Sequence, residues 1–111
     1  MAQWYGIDLD GVLAQFDTWQ GIRYIGKPIP NMVKKVMALH DSGIEVRIFT
    51  ARAATPESIP YIKAWLKQNN LPDWKITNAK DWGMVEIWDD RCKQVIPNTG
   101  NFVGGGDGIR S

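Results

Sequence analysis

The feature that most constrains the fold is an alternation. Four short apolar runs, "QWYGIDL", "IEVRIFT", "WKIT" and "MVEIW", are interleaved with two longer segments of helical spacing. The runs are short and rich in β-branched and aromatic residues, so they read as strands. In "MVKKVMALH" the apolar residues Met32, Val33, Val36, Met37 and Leu39 form a helical stripe. Asn31 is the expected N-cap there, and Gly43 lies just past the end as a stop. "SIPYIKAWLKQ" is the second expected helix. Ser58 can cap it, Pro60 falls in its first turn, and Asn69, Asn70 and Pro72 end it. The order strand, helix, strand, helix, strand, strand predicts an α/β sandwich with a mainly parallel sheet.

In such sheets, ligands bind outside the carboxyl ends of the strands. Polar groups from separate parts of the chain collect at that edge. Asp8 and Asp10 end the first strand, Thr50 the second, and Asp89 and Asp90 the fourth. Asp8 and Asp10 are also close enough in sequence to repel. Burying an ionised carboxylate is expensive unless something pairs with it. Either these residues form a solvated turn, which suits Asp followed by Gly11, or they hold a cation and do chemistry.

Length and composition narrow the classes. A chain of 111 residues with 44% apolar content suits one domain with one core. The expected domain is 1–103, followed by a flexible Gly-rich tail at 104–111. "GGGDG" imitates a phosphate-binding loop, but no strand closely precedes it and no helix follows. With 13 basic and 12 acidic residues, there is no polybasic arm or membrane-binding face. The single Cys92 excludes an internal disulfide and two-cysteine zinc motifs, and is expected to be a small buried apolar residue. No segment has the length or character of a membrane span or a secretory leader, so a cytoplasmic location is expected.

Taken together, "IDLDGVLA", "VRIFTAR", Lys80 and "IWDDR" resemble, in order, the four motifs of the haloacid dehalogenase (HAD) superfamily of phosphatases and phosphotransferases. The resemblance spans residues 5 to 91. It implies a three-layer, Rossmann-like core. Neither gap where larger members carry a cap domain has room for one, so a capless core with an open site is expected, unless residues 14–28 or a second subunit cover it.

The resemblance implies roles residue by residue. Asp8 is the nucleophile, which splits hydrolysis into two steps through an acyl-phosphate. Asp10 is the acid that protonates the leaving oxygen and the base that later activates water. Gly11 allows a sharp turn that brings backbone N–H groups toward phosphate. Thr50, with Ala51 and Arg52 after it, binds the phosphate, Thr50 through its hydroxyl and backbone N–H. Lys80 places a point charge on the phosphate and on Asp8. Family lysines in this motif often precede a proline, whereas Asp81 follows here. A phosphate and Asp8 are both anions, so a divalent cation is required, and Mg²⁺ suits oxygen ligands. The implied ligands are Asp8, the backbone carbonyl of Asp10 and a carboxylate from "DD". Asp90 is favoured as the direct ligand, with Asp89 behind it or acting through water.

The expected activity is therefore a Mg²⁺-dependent phosphatase acting on a phosphorylated small molecule or a nucleic-acid end. Trp19 and Trp82 are expected in loops bordering the site, where they could stack on a nucleobase or sugar or simply cover the core edge. The competing class is a catalytically silent module that binds metal or phosphate. A receiver-type domain would carry its acceptor Asp on a middle strand and an acidic pair on the first, the reverse of the order here. A topoisomerase-primase module would need an early glutamate that "QWYGIDL" does not supply.

Overall fold

The computed structural model describes residues 2–109. It contains strands β1 (Trp4–Ile7), β2 (Glu45–Phe49), β3 (Lys75–Thr77) and β4 (Met84–Trp88), with helices α1 (Pro30–Asp41) and α2 (Ile59–Gln68). All pairings are parallel, and the strand order is β3-β2-β1-β4. This is a mixed α/β fold with an open four-stranded parallel sheet. Every expected strand and helix is present.

The helix ends differ from expectation in two places. Asn31 is not the N-cap of α1. Pro30 occupies the start, where its fixed φ fits and its missing N–H has no partner to lose, and Ile29 becomes the capping residue. Ser58 does occupy the N-cap position of α2, but its hydroxyl makes no capping bond. The chain enters α2 from 3-10 turns at Ala51–Ala54 and Pro56–Ser58, so Ser58 already has helical backbone angles (φ −75°, ψ −26°). A side-chain cap needs an extended residue there. Gly43 performs as expected. With φ +82° it closes α1, its N–H donates to the His40 carbonyl, and the Ile44 N–H donates to the Leu39 carbonyl.

One core cluster joins Ile7, Val46 and Ile48 of the sheet with Val36 of α1 and Ile62, Trp65 and Leu66 of α2. Side chains alternate along strands, so Trp4, Arg47 and Phe49 lie on the other face. There Arg47 stacks on the Trp4 ring at 4.4 Å, and the Trp4 indole donates to Asp81 at 2.7 Å. Asp81 belongs to the 78–83 segment that carries the chain from the carboxyl end of β3 to the amino end of β4. Residues 94–103 form a small antiparallel turn bridged at Val95 and Phe102. Residues 104–109 are irregular, and residues 110 and 111 of the expected tail lie outside the described residues. No helix is long and apolar enough to cross a membrane among the described residues.

The chain leaves β1 toward β2 and β3 on one side and returns to β4 on the other. That reversal opens a crevice at the carboxyl ends of β1 and β4, the usual ligand position in open α/β sheets.

Candidate active site

The crevice holds the acidic residues. Asp8 follows β1 directly, and its N–H donates to the Trp88 carbonyl at 2.9 Å, extending the β1–β4 ladder. Asp89 and Asp90 follow β4. Carboxylate oxygens of Asp8, Asp89 and Asp90 lie within 4.8 Å of one another. Among the described residues, no lysine or arginine forms an ion pair with any of the three. Backbone amides provide partial compensation: Leu9 donates to Asp8, and Arg91 donates to Asp89 at 2.7 Å. Burial, followed by the charge of Asp89, pushes the Asp8 carboxyl up to about 7. Asp90 and Asp10 add to the rise, and the Leu9 N–H opposes it.

Gly11 fixes this geometry. Its φ is +88°, and a Cβ there would lie 2.5 Å from an Asp90 carboxylate oxygen. Only glycine lets the turn after β1 pass so close to Asp90. Its N–H donates to the Ala14 carbonyl at 2.8 Å, so this one amide of the turn is used within it.

Asp10 stands apart from the cluster. Arg52 grips it through two bonds, Nε to Oδ2 at 2.7 Å and Nη2 to Oδ1 at 2.9 Å. The Arg52 side chain is 5% exposed and that of Asp10 20%. The same guanidinium donates to the carbonyls of Tyr24 (2.9 Å) and Ile22 (3.4 Å), and it lies 4.7 Å from the Trp19 ring centroid. Arg52, expected to contact phosphate, therefore ties the 15–27 segment to Asp10. A partnership between residues 42 apart leaves no local signal in the sequence.

Thr50 ends β2 and is buried. Its N–H donates to the Thr77 carbonyl at 2.9 Å, so the sheet uses the amide expected to face phosphate. Its hydroxyl accepts from the Arg52 N–H at 3.2 Å and keeps its own proton to donate. Ala51 is exposed at the first position of the 3-10 turn, where a backbone N–H has no helical acceptor.

A cleft of about 730 Å³ unites Asp8, Asp10, Thr50, Ala51, Arg52, Asp89 and Asp90. Lys80 is not among its lining residues; it is exposed on the 78–83 segment. Arg91 lines the cleft, as does Asn78 at the carboxyl end of β3. Asn78 was not singled out from sequence, although the strand-end rule points to it. Trp19 borders the cleft as expected. Trp82 does not: it is 94% exposed beside Gly83, whose carbonyl accepts from the Trp4 N–H at the amino edge of the sheet. Cys92 is exposed rather than buried, because the chain after β4 leaves the core. His40 lies far from the cleft and accepts a hydrogen bond from the Trp74 indole.

The donor set fits a hard divalent cation. Three carboxylates converge, no histidine or cysteine joins them among the described residues, and water can complete an octahedron. Compared with protein-family models, curated proteins and solved structures, the chain gives no match.

Proposed function

We propose that this chain is a Mg²⁺-dependent phosphatase with a reduced HAD-type core. The observation that carries the reading is the convergence of Asp8, Asp89 and Asp90 at the β1–β4 crevice, none of them ion-paired with a lysine or arginine among the described residues. The strand order and the Asp10–Gly11 turn support it. The 78–83 segment lies where a second helical layer would complete the three-layer form. No inserted domain stands over the cleft among the described residues, in keeping with a capless core. A second copy of the chain is one way the open side would be covered.

Asp8 and Asp90 would hold Mg²⁺, with Asp89 beside them and the Asp10 carbonyl as a further oxygen. The ion, when bound, would offset the repulsion between Asp8 and an anionic phosphate. An Asp8 oxygen attacks phosphorus, and the bond to the leaving oxygen breaks. Asp10 gives that oxygen its proton. Asp10 then takes a proton from water; the water attacks phosphorus, and the bond to Asp8 breaks. Arg52 takes one lone pair on each Asp10 oxygen, which favours the ionised carboxylate and leaves one further acceptor site on each oxygen for the proton. The Thr50 hydroxyl donates to the phosphate. Arg91 supplies the positive charge at the cleft, and Lys80, exposed outside its lining, takes no part in this arrangement.

The gripped Asp10 and the distant Lys80 favour a second reading, a catalytically silent metal- or phosphate-binding module. Phosphate release from p-nitrophenyl phosphate separates the two. Release that needs both Mg²⁺ and Asp8, and is lost with chelator or in Asp8→Asn, supports the phosphatase. Mg²⁺ binding without release from any phosphate ester supports the silent module.

A further inference from the structure

The cleft has two kinds of wall. Beside the carboxylates, the lining includes the apolar residues Phe16, Trp19 and Ile22 of the 15–27 segment and Phe49 at the end of β2. Phe16 is 39% exposed and Trp19 55%. Large aromatics left open beside a polar centre offer a surface on which a planar ligand can stack.

The segment that carries them is held in place. Arg52 holds the carbonyls of Ile22 and Tyr24, the buried Trp65 indole donates to the Gly26 carbonyl at 2.8 Å, and the Gln15 N–H donates to Lys27. Arg52 also stacks on the Trp19 ring, so this ring is already oriented before any ligand arrives.

We propose that the base of a single nucleoside monophosphate stacks against Trp19 and Phe16 while its phosphate faces Asp8. This rests on the phosphatase reading and names its substrate class. A volume of about 730 Å³ far exceeds what a phosphate group needs and lies within the range of sites for ligands of nucleotide size. A bare sugar phosphate would turn its hydroxyls toward an apolar wall that offers them few partners. A nucleic-acid strand would need basic side chains along its next phosphates. Only Arg52 and Arg91 line the cleft among the described residues, and Arg52 is committed to Asp10.

The test compares adenosine 5′-monophosphate with ribose 5-phosphate, which lacks the base. Both turnover and equilibrium binding are measured with Mg²⁺. A stacked base raises kcat/KM, or affinity, roughly 10- to 100-fold over the sugar phosphate. Trp19→Ala collapses that ratio, and Trp19→Phe restores most of it. Circular dichroism confirms that both variants are folded. Equal handling of the two ligands overturns the proposal, as does a ratio unmoved by Trp19→Ala. A 5′-phosphorylated oligonucleotide preferred over the mononucleotide overturns the single-nucleotide assignment. If neither ester nor p-nitrophenyl phosphate is hydrolysed, the phosphatase reading fails, but the binding ratio still decides the base subsite.

Discussion

Replacing Arg52 by leucine should cost the protein a large share of its stability. The guanidinium is almost fully buried and makes two short bonds to Asp10 and two to loop carbonyls. Leucine fills part of the volume but leaves the Asp10 charge without a partner. Breaking a buried ion pair from one side costs about 3–5 kcal/mol. The Asp10 side chain is one-fifth exposed, so water recovers part of the loss, and the lower end of that range, about 3 kcal/mol, is expected. For a domain of this size the loss corresponds to a fall in Tm of about 12 °C or more. The assay is urea unfolding of the wild type, Arg52→Leu, Asp10→Asn and the double variant, in chelator so that metal binding does not contribute. The double-mutant cycle should show a coupling of at least about 1.5 kcal/mol. Arg52→Lys keeps the charge, loses the two-pronged grip and should fall between. A loss under about 1 kcal/mol for Arg52→Leu, or no coupling, would refute the view that this pair fixes the 15–27 segment and Asp10 together.

Gly11→Ala should weaken Mg²⁺ binding measured by calorimetry at least tenfold, because its Cβ meets the Asp90 carboxylate at 2.5 Å and its backbone sits at φ +88°. The left-handed backbone alone adds about 1–2 kcal/mol of instability. The Asp8 carboxyl is raised from 3.8 to about 7, so it holds its proton more tightly in the folded chain. Metal-free stability should therefore fall as pH climbs from about 4 to about 7, while the unfolded carboxyl ionises and the folded one does not. Asp8→Asn should flatten that slope in urea unfolding followed across the same pH range; a metal-free stability that rises over this window contradicts the assignment. Trp65→Phe keeps most of the buried ring but strands the Gly26 carbonyl, and should cost about 1–3 kcal/mol, read as a shift in the urea midpoint.

The elements of the fold were legible because each carries a local signal. Short runs rich in β-branched and aromatic residues mark all four strands, and the apolar stripe from Met32 to Leu39 marks α1. Their positions at strand ends are enough to put Asp8, Thr50, Asp89 and Asp90 at one edge of a parallel sheet. What the sequence did not show depends on contacts between distant residues. The grip of Arg52 on Asp10 joins positions 42 apart, and the amides of Gly11 and Thr50 find partners inside the turn and the sheet. Pro30 moved the start of α1 because a fixed φ outweighs the capping preference of Asn31. Trp82 and Lys80 were misjudged for a geometric reason. The 78–83 segment runs from one edge of the sheet to the other, so residues a few positions apart end near opposite edges.

The central claim is that Asp8 is a nucleophile. The most direct measurement is mass spectrometry of Asp10→Asn, denatured by acid within seconds of mixing with Mg²⁺ and p-nitrophenyl phosphate, whose leaving oxygen departs without a proton from Asp10. Without Asp10 to activate water, the second step slows and the intermediate accumulates. One phosphoryl group on the peptide containing Asp8, absent when Asp8→Asn is added to that variant, is the predicted result. Sustained phosphate release from the wild type with no label on Asp8 in either protein would contradict it.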